Sequence, residues 1–254
     1  WVKDGGAPAP ADVAFLNEPD QVVAALVEAL EAQETVPLPA LSLPDEVKGG
    51  TMTSQDIAVL LRRGVNKRSV CLIRAPLSWT GADWPVSHPF GSLGYDGGGG
   101  IGSGPGMAVG AALALRDEGL KHLPLAVLGD GDFLMNASAL WTAVNQGVPL
   151  MIVVVNNHSF YNDEVHQESV AKERERPVEN KHVGIVMNGP DIDVSAIAQG
   201  FGATSYGLLT SPTAVMKAIS NALEVVESGG VAVLEIEAAK GYAPSMVQAM
   251  RSAG

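Results

Sequence analysis

Two short polar motifs follow two apolar runs of the chain, and their residue types are those of a site for a cation and a phosphate. The Gly-Asp motif, Gly129-Asp130-Gly131-Asp132, comes directly after the run at 124–128, and Asn156-Asn157-His158-Ser159 ends the run at 150–155. The glycines let the backbone turn tightly and approach an anion. Because two aspartates would repel a phosphate, we expect a bound cation between the aspartates and the phosphate. Carboxylate, amide and carbonyl oxygens are ligands that suit Mg²⁺.

Each motif alone is an ordinary turn or strand end, so the prediction rests on their combination. Asp130 and Asn157 lie on either side of one helical pattern, at the ends of two consecutive apolar runs. Ligands of open α/β sheets bind beyond the carboxyl ends of the strands, where these two motifs should meet. The combination therefore favours a site for a metal ion and a diphosphate.

A glycine-rich segment, residues 97–106, precedes another helical pattern. It formally matches the dinucleotide fingerprint G-x-G-x-x-G at Gly97, Gly99 and Gly102. No clear strand precedes it, however, and Asp96 would face a pyrophosphate, so the match is weak. An NAD-dependent oxidoreductase is therefore an alternative interpretation of the segment, and a flexible surface loop is another.

The part of the chain that must position these motifs has the pattern of an α/β domain. Apolar runs predict strands that are covered on both faces, at 69–74, 124–128, 150–155 and 231–236. Helical patterns lie between or beyond them, at 54–63, 106–116, 136–146, 212–226 and after Pro244. This alternation predicts an open, doubly wound, mainly parallel sheet with helices on both faces.

Residues 1–50 have a different character. Proline-rich stretches flank one helical pattern at 20–32, for which Asp20 is a plausible N-cap residue. We interpret residues 1–50 as an interdomain linker with one helix and residues 51–254 as the cofactor-binding domain. The chain begins at Trp1 rather than Met, which favours a piece of a longer chain.

The composition excludes several classes of partner. The net charge of −12 provides no field that would attract nucleic acid or an anionic membrane. We find neither an apolar run of about 18 residues nor a signal peptide. Cys71 is the single cysteine and cannot form an internal disulfide, which suits a reducing cytoplasm. We therefore expect a cytoplasmic protein that binds neither nucleic acid nor a membrane.

The paired motifs resemble the diphosphate-binding (PP) domain of thiamine diphosphate-dependent enzymes, in the group of acetolactate synthase, pyruvate decarboxylase and benzoylformate decarboxylase. The resemblance runs from about Thr51 to the C-terminus and implies thiamine diphosphate and Mg²⁺ as cofactors. It implies that Asp130 and Asn157 ligate Mg²⁺ through their side chains and that Ser159 does so through its carbonyl. The other implied cofactor-binding residues in and near these motifs are Gly129, Gly131, Asp132, Asn157 and Asn162.

The resemblance also assigns roles outside the two motifs. Gly99 would contact the aminopyrimidine through its backbone, and Ile101 would wedge beneath the cofactor. In relatives, polar side chains shortly after the Asn-Asn element often reach the reacting carbon, so Asp163 and His166 are candidates for proton transfer. His166 could equally be a surface histidine.

The implied activity makes or breaks a C–C bond next to a carbonyl. The candidates are a 2-oxo acid decarboxylase, an acetolactate synthase-like carboligase and a 2-hydroxyacyl lyase, each acting on a small carbonyl substrate. In this family the glutamate that activates the aminopyrimidine lies in a pyrimidine-binding domain, which these residues do not contain. We therefore expect such a domain or subunit as a partner, in a homo- or hetero-oligomeric dimer or tetramer. A non-catalytic cofactor-binding module is the second alternative.

Overall fold

A computed structural model describes residues 12–31, 47, 50–94 and 100–241. The chain divides into two compact units, Trp1–Leu41 and Ser42–Gly254. In the described part of the first unit, helix α1 (Pro19–Ala29) begins at a proline, which suits the first helical position. Glu18 is its N-cap residue, so the prediction that Asp20 caps this helix was wrong, and Asp20 lies in the first turn.

The second unit is built on one parallel sheet of five strands. The strands lie in the order β1-β2-β3-β5-β4, and every neighbouring pair is parallel. Their bounds are β1 Val70–Arg74, β2 Leu123–Gly129, β3 Leu150–Asn156, β4 Thr204–Leu209 and β5 Val231–Glu237. The predicted doubly wound α/β fold is thereby confirmed.

The described part of the second unit contains seven α-helices. They are α2 Ser54–Val65, α3 Gly104–Asp117, α4 Asp130–Met135, α5 Ala139–Asn145, α6 Tyr161–Glu173, α7 Val194–Gly200 and α8 Pro212–Glu227. All of them except α6 contribute buried residues. Successive side chains of a strand point to opposite faces. Met151 and Val153 of β3 accordingly join the core with α2 and α8, whereas Ile152 and Val154 join the core with α3, α5 and α7.

Three features of the second unit differ from the sequence expectations. Helix α2 continues beyond Gly64 because Val65 extends its buried stripe. The helix expected at 136–146 is shorter, α5 at Ala139–Asn145, and a separate short helix, α4, precedes it because Asn136 leaves the helical conformation between the two. Strand β4 and helix α7 were not predicted, because β4 is a half-exposed edge strand without an apolar run. The helix expected after Pro244 lies outside the described residues.

None of the helices in the described ranges is both long enough and apolar enough to span a bilayer.

Candidate functional site

A cavity of about 240 Å³ opens at the carboxyl ends of β1, β2 and β3. Nine of the residues singled out from the sequence line it, and they are Ile101, Gly129, Asp130, Gly131, Asp132, Asn157, Ser159, Asn162 and Asp163. The fold thus brings the two polar motifs and the end of the glycine-rich segment to one place. Gly99 lies outside the described residues.

Asp130 is the first residue of α4 and is almost completely buried, with 3% of its surface exposed. Its Oδ1 accepts a hydrogen bond from the Gly131 N–H at 2.8 Å, and its Oδ2 accepts one from the Ser159 N–H at 3.1 Å. Burial raises the pKa of Asp130, although these N–H groups and the nearby His158 partly oppose the rise. Asp130 is therefore a buried carboxylate that no lysine or arginine pairs with among the described residues.

Asn157 and Asp130 converge on the same backbone group. The Ser159 N–H, which bonds Asp130, also donates to Asn157 Oδ1 at 3.0 Å. The start of α4 supplies the carboxylate oxygen and the turn after β3 supplies the amide oxygen, and both accept from this N–H at the cavity wall. Each of these oxygens retains further lone pairs for a cation.

Asp132 has a different environment, and here an expectation needs correction. Its carboxylate Oδ2 lies 2.9 Å from Arg74 Nε, and both side chains are less than one tenth exposed. We expected a bound cation to offset both aspartates of the Gly-Asp motif, but the chain's own guanidinium offsets Asp132. The expectation of a bound cation therefore concerns Asp130 alone.

Glycines of the site are required by close approach of neighbouring side chains. A Cβ on Gly131 would collide with the Phe160 ring, and a Cβ on Gly104 would come within 2.5 Å of Asp132 Oδ2. In the structure the Gly131 N–H donates to the Asp130 side chain. The expected backbone contacts of Gly131 and Asp132 with a diphosphate are not tested by this geometry and stay predictions.

A buried network lies beneath the end of β3 and was missed from the sequence. Glu235 of β5 accepts hydrogen bonds from Asn156 Nδ2 at 2.7 Å and from the Ser195 N–H at 2.9 Å. Asn156 Oδ1 in turn accepts from the His158 N–H at 3.0 Å. The network fixes the turn that carries Asn157. Its sequence signal is the single acidic residue inside the buried run at 231–236.

We expect Glu235→Gln to change how the stability of the chain depends on pH. Because burial raises the pKa of Glu235, the folded protein holds its proton more firmly than the unfolded chain does. Its contribution to the free energy of unfolding is full below the ordinary pKa of 4.5 and is lost as pH rises through the raised value. Glutamine does not titrate, so the stability of the wild type relative to the variant should fall as pH rises.

Urea denaturation of both proteins from about pH 4 to about pH 8 measures this difference. A second effect is independent of pH, because the glutamine amide leaves one of the two donors, Asn156 or Ser195, without an acceptor. That loss should lower the stability of the variant by about 1–3 kcal/mol throughout. A difference in stability that stays constant over this range would contradict the assignment of Glu235.

A second missed group supports Ser159. The Ser159 hydroxyl donates to Glu164 Oε2 at 2.8 Å, and Lys240 Nζ lies 2.7 Å from the same oxygen. Burial raises the pKa of Glu164, but the hydrogen bonds from Lys240 and Ser159 outweigh it, so the pKa lies below its ordinary value. This contact joins the start of α6 to the residues after β5. Lys240 lies 76 residues from Glu164 in the sequence, so no local pattern predicts their contact.

The two proton-transfer candidates separate in the structure. Asp163, in the first turn of α6, lines the cavity together with Asn162. His166 is exposed one turn later and is not among the lining residues. The structure therefore brings Asp163 into the site and leaves His166 at the surface.

A pair of stacked indoles lies next to two serines that line the cavity. The rings of Trp79 and Trp84 lie 5.8 Å apart at an interplanar angle of 11°. Trp79 Nε1 donates to Ser54 Oγ at 2.9 Å, and Ser78 Oγ donates to the same hydroxyl at 2.9 Å. Ser54 and Ser78 both line the cavity, so the indole pair is fixed directly to its wall.

This fold and site define a class of protein, an α/β domain that presents hard oxygen ligands and glycines beyond the carboxyl ends of parallel strands. The family model of the thiamine pyrophosphate enzyme, C-terminal TPP-binding domain, matches residues 77–236. The match covers more than half of the chain. The chain therefore belongs to this family of thiamine diphosphate-binding domains, as the resemblance of the two motifs implied.

Solved structures with the same fold include two decarboxylases. The thiamine diphosphate-dependent 4-hydroxybenzoylformate decarboxylase of Rhodococcus jostii RHA1 is 22% identical, with a TM-score of 0.68 over 92% of this chain and 42% of its own. The benzoylformate decarboxylase of Polynucleobacter necessarius is 22% identical, with a TM-score of 0.61 over 75% of this chain and 34% of its own. The chain thus spans less than half the length of either structure. A search among curated proteins found no match.

Proposed function

We propose that this chain anchors thiamine diphosphate and Mg²⁺ in an enzyme that makes or breaks a C–C bond next to a carbonyl. The observation that carries the proposal is the meeting of the Asp130 carboxylate and the Asn157 amide oxygen at one backbone N–H, inside a domain of the thiamine pyrophosphate family. The substrate class is a small 2-oxo acid or 2-hydroxyacyl compound. Both structural neighbours described above are named as decarboxylases, which supports decarboxylation over ligation.

The described donor set fits Mg²⁺. Asp130 supplies a buried carboxylate, Asn157 supplies an amide oxygen, and Ser159 supplies a backbone carbonyl, all of which are hard oxygen ligands. No group of three His, Cys, Asp or Glu side chains in the described ranges could hold a metal. The proposed ion therefore depends on this single carboxylate together with neutral oxygens and the diphosphate, as is usual for Mg²⁺, which is seldom held by protein ligands alone.

The chain's own residues orient the ligand and exclude water. Bound thiamine diphosphate supplies the chemistry at the carbonyl carbon. Ile101 supplies an apolar surface at the mouth of the cavity, and Asp163 lies where it can hold or move a proton. Gly129, Asn162 and the backbone at Asp132 complete the proposed contacts with the cofactor.

A pyrimidine-binding domain or subunit is the proposed partner. It would complete a homo- or hetero-oligomer, either a dimer or a tetramer, and we call this complex the assembled enzyme. We also propose a cytoplasmic location, which the buried free thiol of Cys71 supports.

Calorimetric titration of the assembled enzyme with thiamine diphosphate, with and without Mg²⁺, tests the proposal. We expect saturable binding that requires Mg²⁺, and release of the cofactor when a chelator removes the metal. Turnover of a panel of 2-oxo acids then identifies the substrate class. Binding that is indifferent to Mg²⁺ would refute the metal site, and binding of NAD in place of thiamine diphosphate would favour an oxidoreductase. Mg²⁺-dependent binding without turnover of any panel member would favour the non-catalytic module.

A further inference from the structure

A buried ion pair joins the Gly-Asp motif to the glycine-rich segment. We propose that Arg74 and Asp132 are positioning residues, which hold Ile101 at the cavity and offset the second charge of the motif from within the fold. The idea that the ligand is thiamine diphosphate rests on the function proposed above. The ordering of residues 100–104 by the ion pair does not rest on it, and the two can fail separately.

The geometry of the pair is that of a strong, desolvated interaction. Arg74 ends β1 and Asp132 lies in the first turn of α4, so the two side chains meet from neighbouring elements. Their Nε and Oδ2 atoms are 2.9 Å apart, with 6% and 7% of the side chains exposed. Buried charges are tolerated only when further hydrogen bonds satisfy the remaining donors and acceptors. Three of those further bonds go to the glycine-rich segment.

Both partners bind the backbone on either side of Ile101. Arg74 Nη2 donates to the Gly100 carbonyl at 2.9 Å on one side. The Gly102 and Gly104 N–H groups donate to Asp132 Oδ1 at 2.6 Å and 3.1 Å on the other side. The described backbone on both sides of Ile101 is therefore hydrogen-bonded to the same ion pair.

Ile101 is a half-exposed residue that lies just before the start of α3. Its surface is 45% exposed although it is a large apolar residue, and its side chain lines the cavity. A side chain that contacts a ligand from a loop is effective only if its backbone is fixed before the ligand arrives. The ion pair provides that fixation without a bound cofactor or metal.

The pair also sets the charge that an anionic ligand meets. Without Arg74, a diphosphate next to the Gly-Asp motif would face two uncompensated carboxylates. With Arg74 in place, Asp132 is neutralised inside the protein and Asp130 alone faces the ligand. A single divalent cation then suffices at the motif.

Replacing Arg74 by lysine separates the two roles. Lysine retains the positive charge but lacks the planar fork that reaches both Asp132 and the Gly100 carbonyl. We expect Arg74→Lys in the assembled enzyme to keep the Kd for thiamine diphosphate within about threefold, because charge is conserved. We expect kcat to fall about tenfold or more, because Ile101 is no longer fixed.

Hydrogen exchange read by mass spectrometry tests the ordering directly. Without any cofactor, a peptide spanning residues 100–107 should exchange about tenfold faster in Arg74→Lys than in the wild type. The matched control is Arg68→Lys, because Arg68 also forms an ion pair at 2.8 Å, with Glu227, but that pair is exposed. The control should leave exchange of the peptide, Kd and kcat unchanged.

Ile101→Ala provides the second comparison. If Arg74 acts through Ile101, then Ile101→Ala should also lower kcat more than cofactor affinity. Adding Arg74→Lys to it should lower kcat by less than the product of the two separate effects. If the loss of kcat in the double variant equals the product of the two separate losses, Arg74 does not act through Ile101.

Arg74→Met removes the charge and leaves a buried carboxylate unpaired, so this variant can fail to fold. The double variant Arg74→Met with Asp132→Asn then carries the test, because the amide oxygen of the introduced side chain can still accept from the Gly102 and Gly104 N–H groups. We expect it to fold and to bind thiamine diphosphate within about tenfold of the wild type. Exchange at 100–107 that is unchanged in Arg74→Lys would overturn the proposal, whatever ligand the enzyme binds.

Discussion

In the assembled enzyme, Asp130→Ala is expected to weaken Mg²⁺-dependent binding of thiamine diphosphate at least about 100-fold. Asp130 is the one carboxylate of the Gly-Asp motif that the described chain leaves without a cationic partner, and it lies beside Asn157 at the cavity wall. Removing it deletes the charged ligand of the proposed ion, and neutral oxygens alone hold Mg²⁺ poorly. Calorimetric titration at saturating Mg²⁺ measures the change.

The fold should survive this substitution. Asp130 is a desolvated carboxylate whose pKa burial raises, so the free protein loses no strong ion pair when it is replaced. The Tm of the variant without cofactor should therefore differ from that of the wild type by no more than about 2–4 °C. Asp117→Ala is the control, because Asp117 is an exposed carboxylate at the end of α3, and it should leave both measurements unchanged. An unaltered affinity of Asp130→Ala for the cofactor would contradict the proposed role of Asp130 as a metal ligand.

The isolated chain 1–254 is expected to turn over 2-oxo acids at least about 100-fold more slowly than the assembled enzyme. The chain spans 42% of the 4-hydroxybenzoylformate decarboxylase and 34% of the benzoylformate decarboxylase that share its fold. We propose that its cavity residues bind a metal ion and a diphosphate and supply an apolar contact, and we assign none of them to activation of the aminopyrimidine. A positioned acid or base contributes about 10²–10⁴-fold to a rate, so its absence is measurable.

Steady-state turnover by the isolated chain, with its mass measured by light scattering, tests this expectation. Adding the pyrimidine-binding part should restore activity and tighten cofactor binding together. The isolated chain should still bind thiamine diphosphate weakly when Mg²⁺ is present, which separates an incomplete site from a misfolded one. Rapid turnover by the chain alone would mean that one of its own carboxylates, with Asp163 the first candidate, supplies the missing group.

The sequence predicted the parts of the site that local patterns encode. The Gly-Asp motif and the Asn-Asn turn follow buried strands, and a parallel sheet brings such ends together. The four apolar runs likewise predicted the strands now numbered β1, β2, β3 and β5. Strand β4 was not predicted, because a half-exposed edge strand has neither an unbroken apolar run nor a clean alternation of apolar and polar residues.

Contacts between distant segments explain what the sequence did not predict. Arg74 was read as the end of an apolar strand, although a charged residue in that place must find a partner when it is buried. Its partner, Asp132, was read with Asp130 as one acidic pair that shared a cation. Only the ion pair of Asp132 with Arg74 and its hydrogen bonds with Gly102 and Gly104 show that the two aspartates have separate environments. The same holds for Glu235, whose carboxylate oxygens serve donors on α7 and β3.

The stacked pair of Trp79 and Trp84 gives the chain an optical signature next to the cavity, because Trp79 is hydrogen-bonded to the lining residue Ser54. Two indoles held nearly parallel at this separation couple their electronic transitions, so their circular dichroism in the ultraviolet depends on the angle between the rings. Because Trp79 is hydrogen-bonded to Ser54, a ligand that moves this wall changes the angle and the signal together. We therefore expect the indole pair to report ligand binding without a dye or a label, which a titration followed by near-ultraviolet circular dichroism tests.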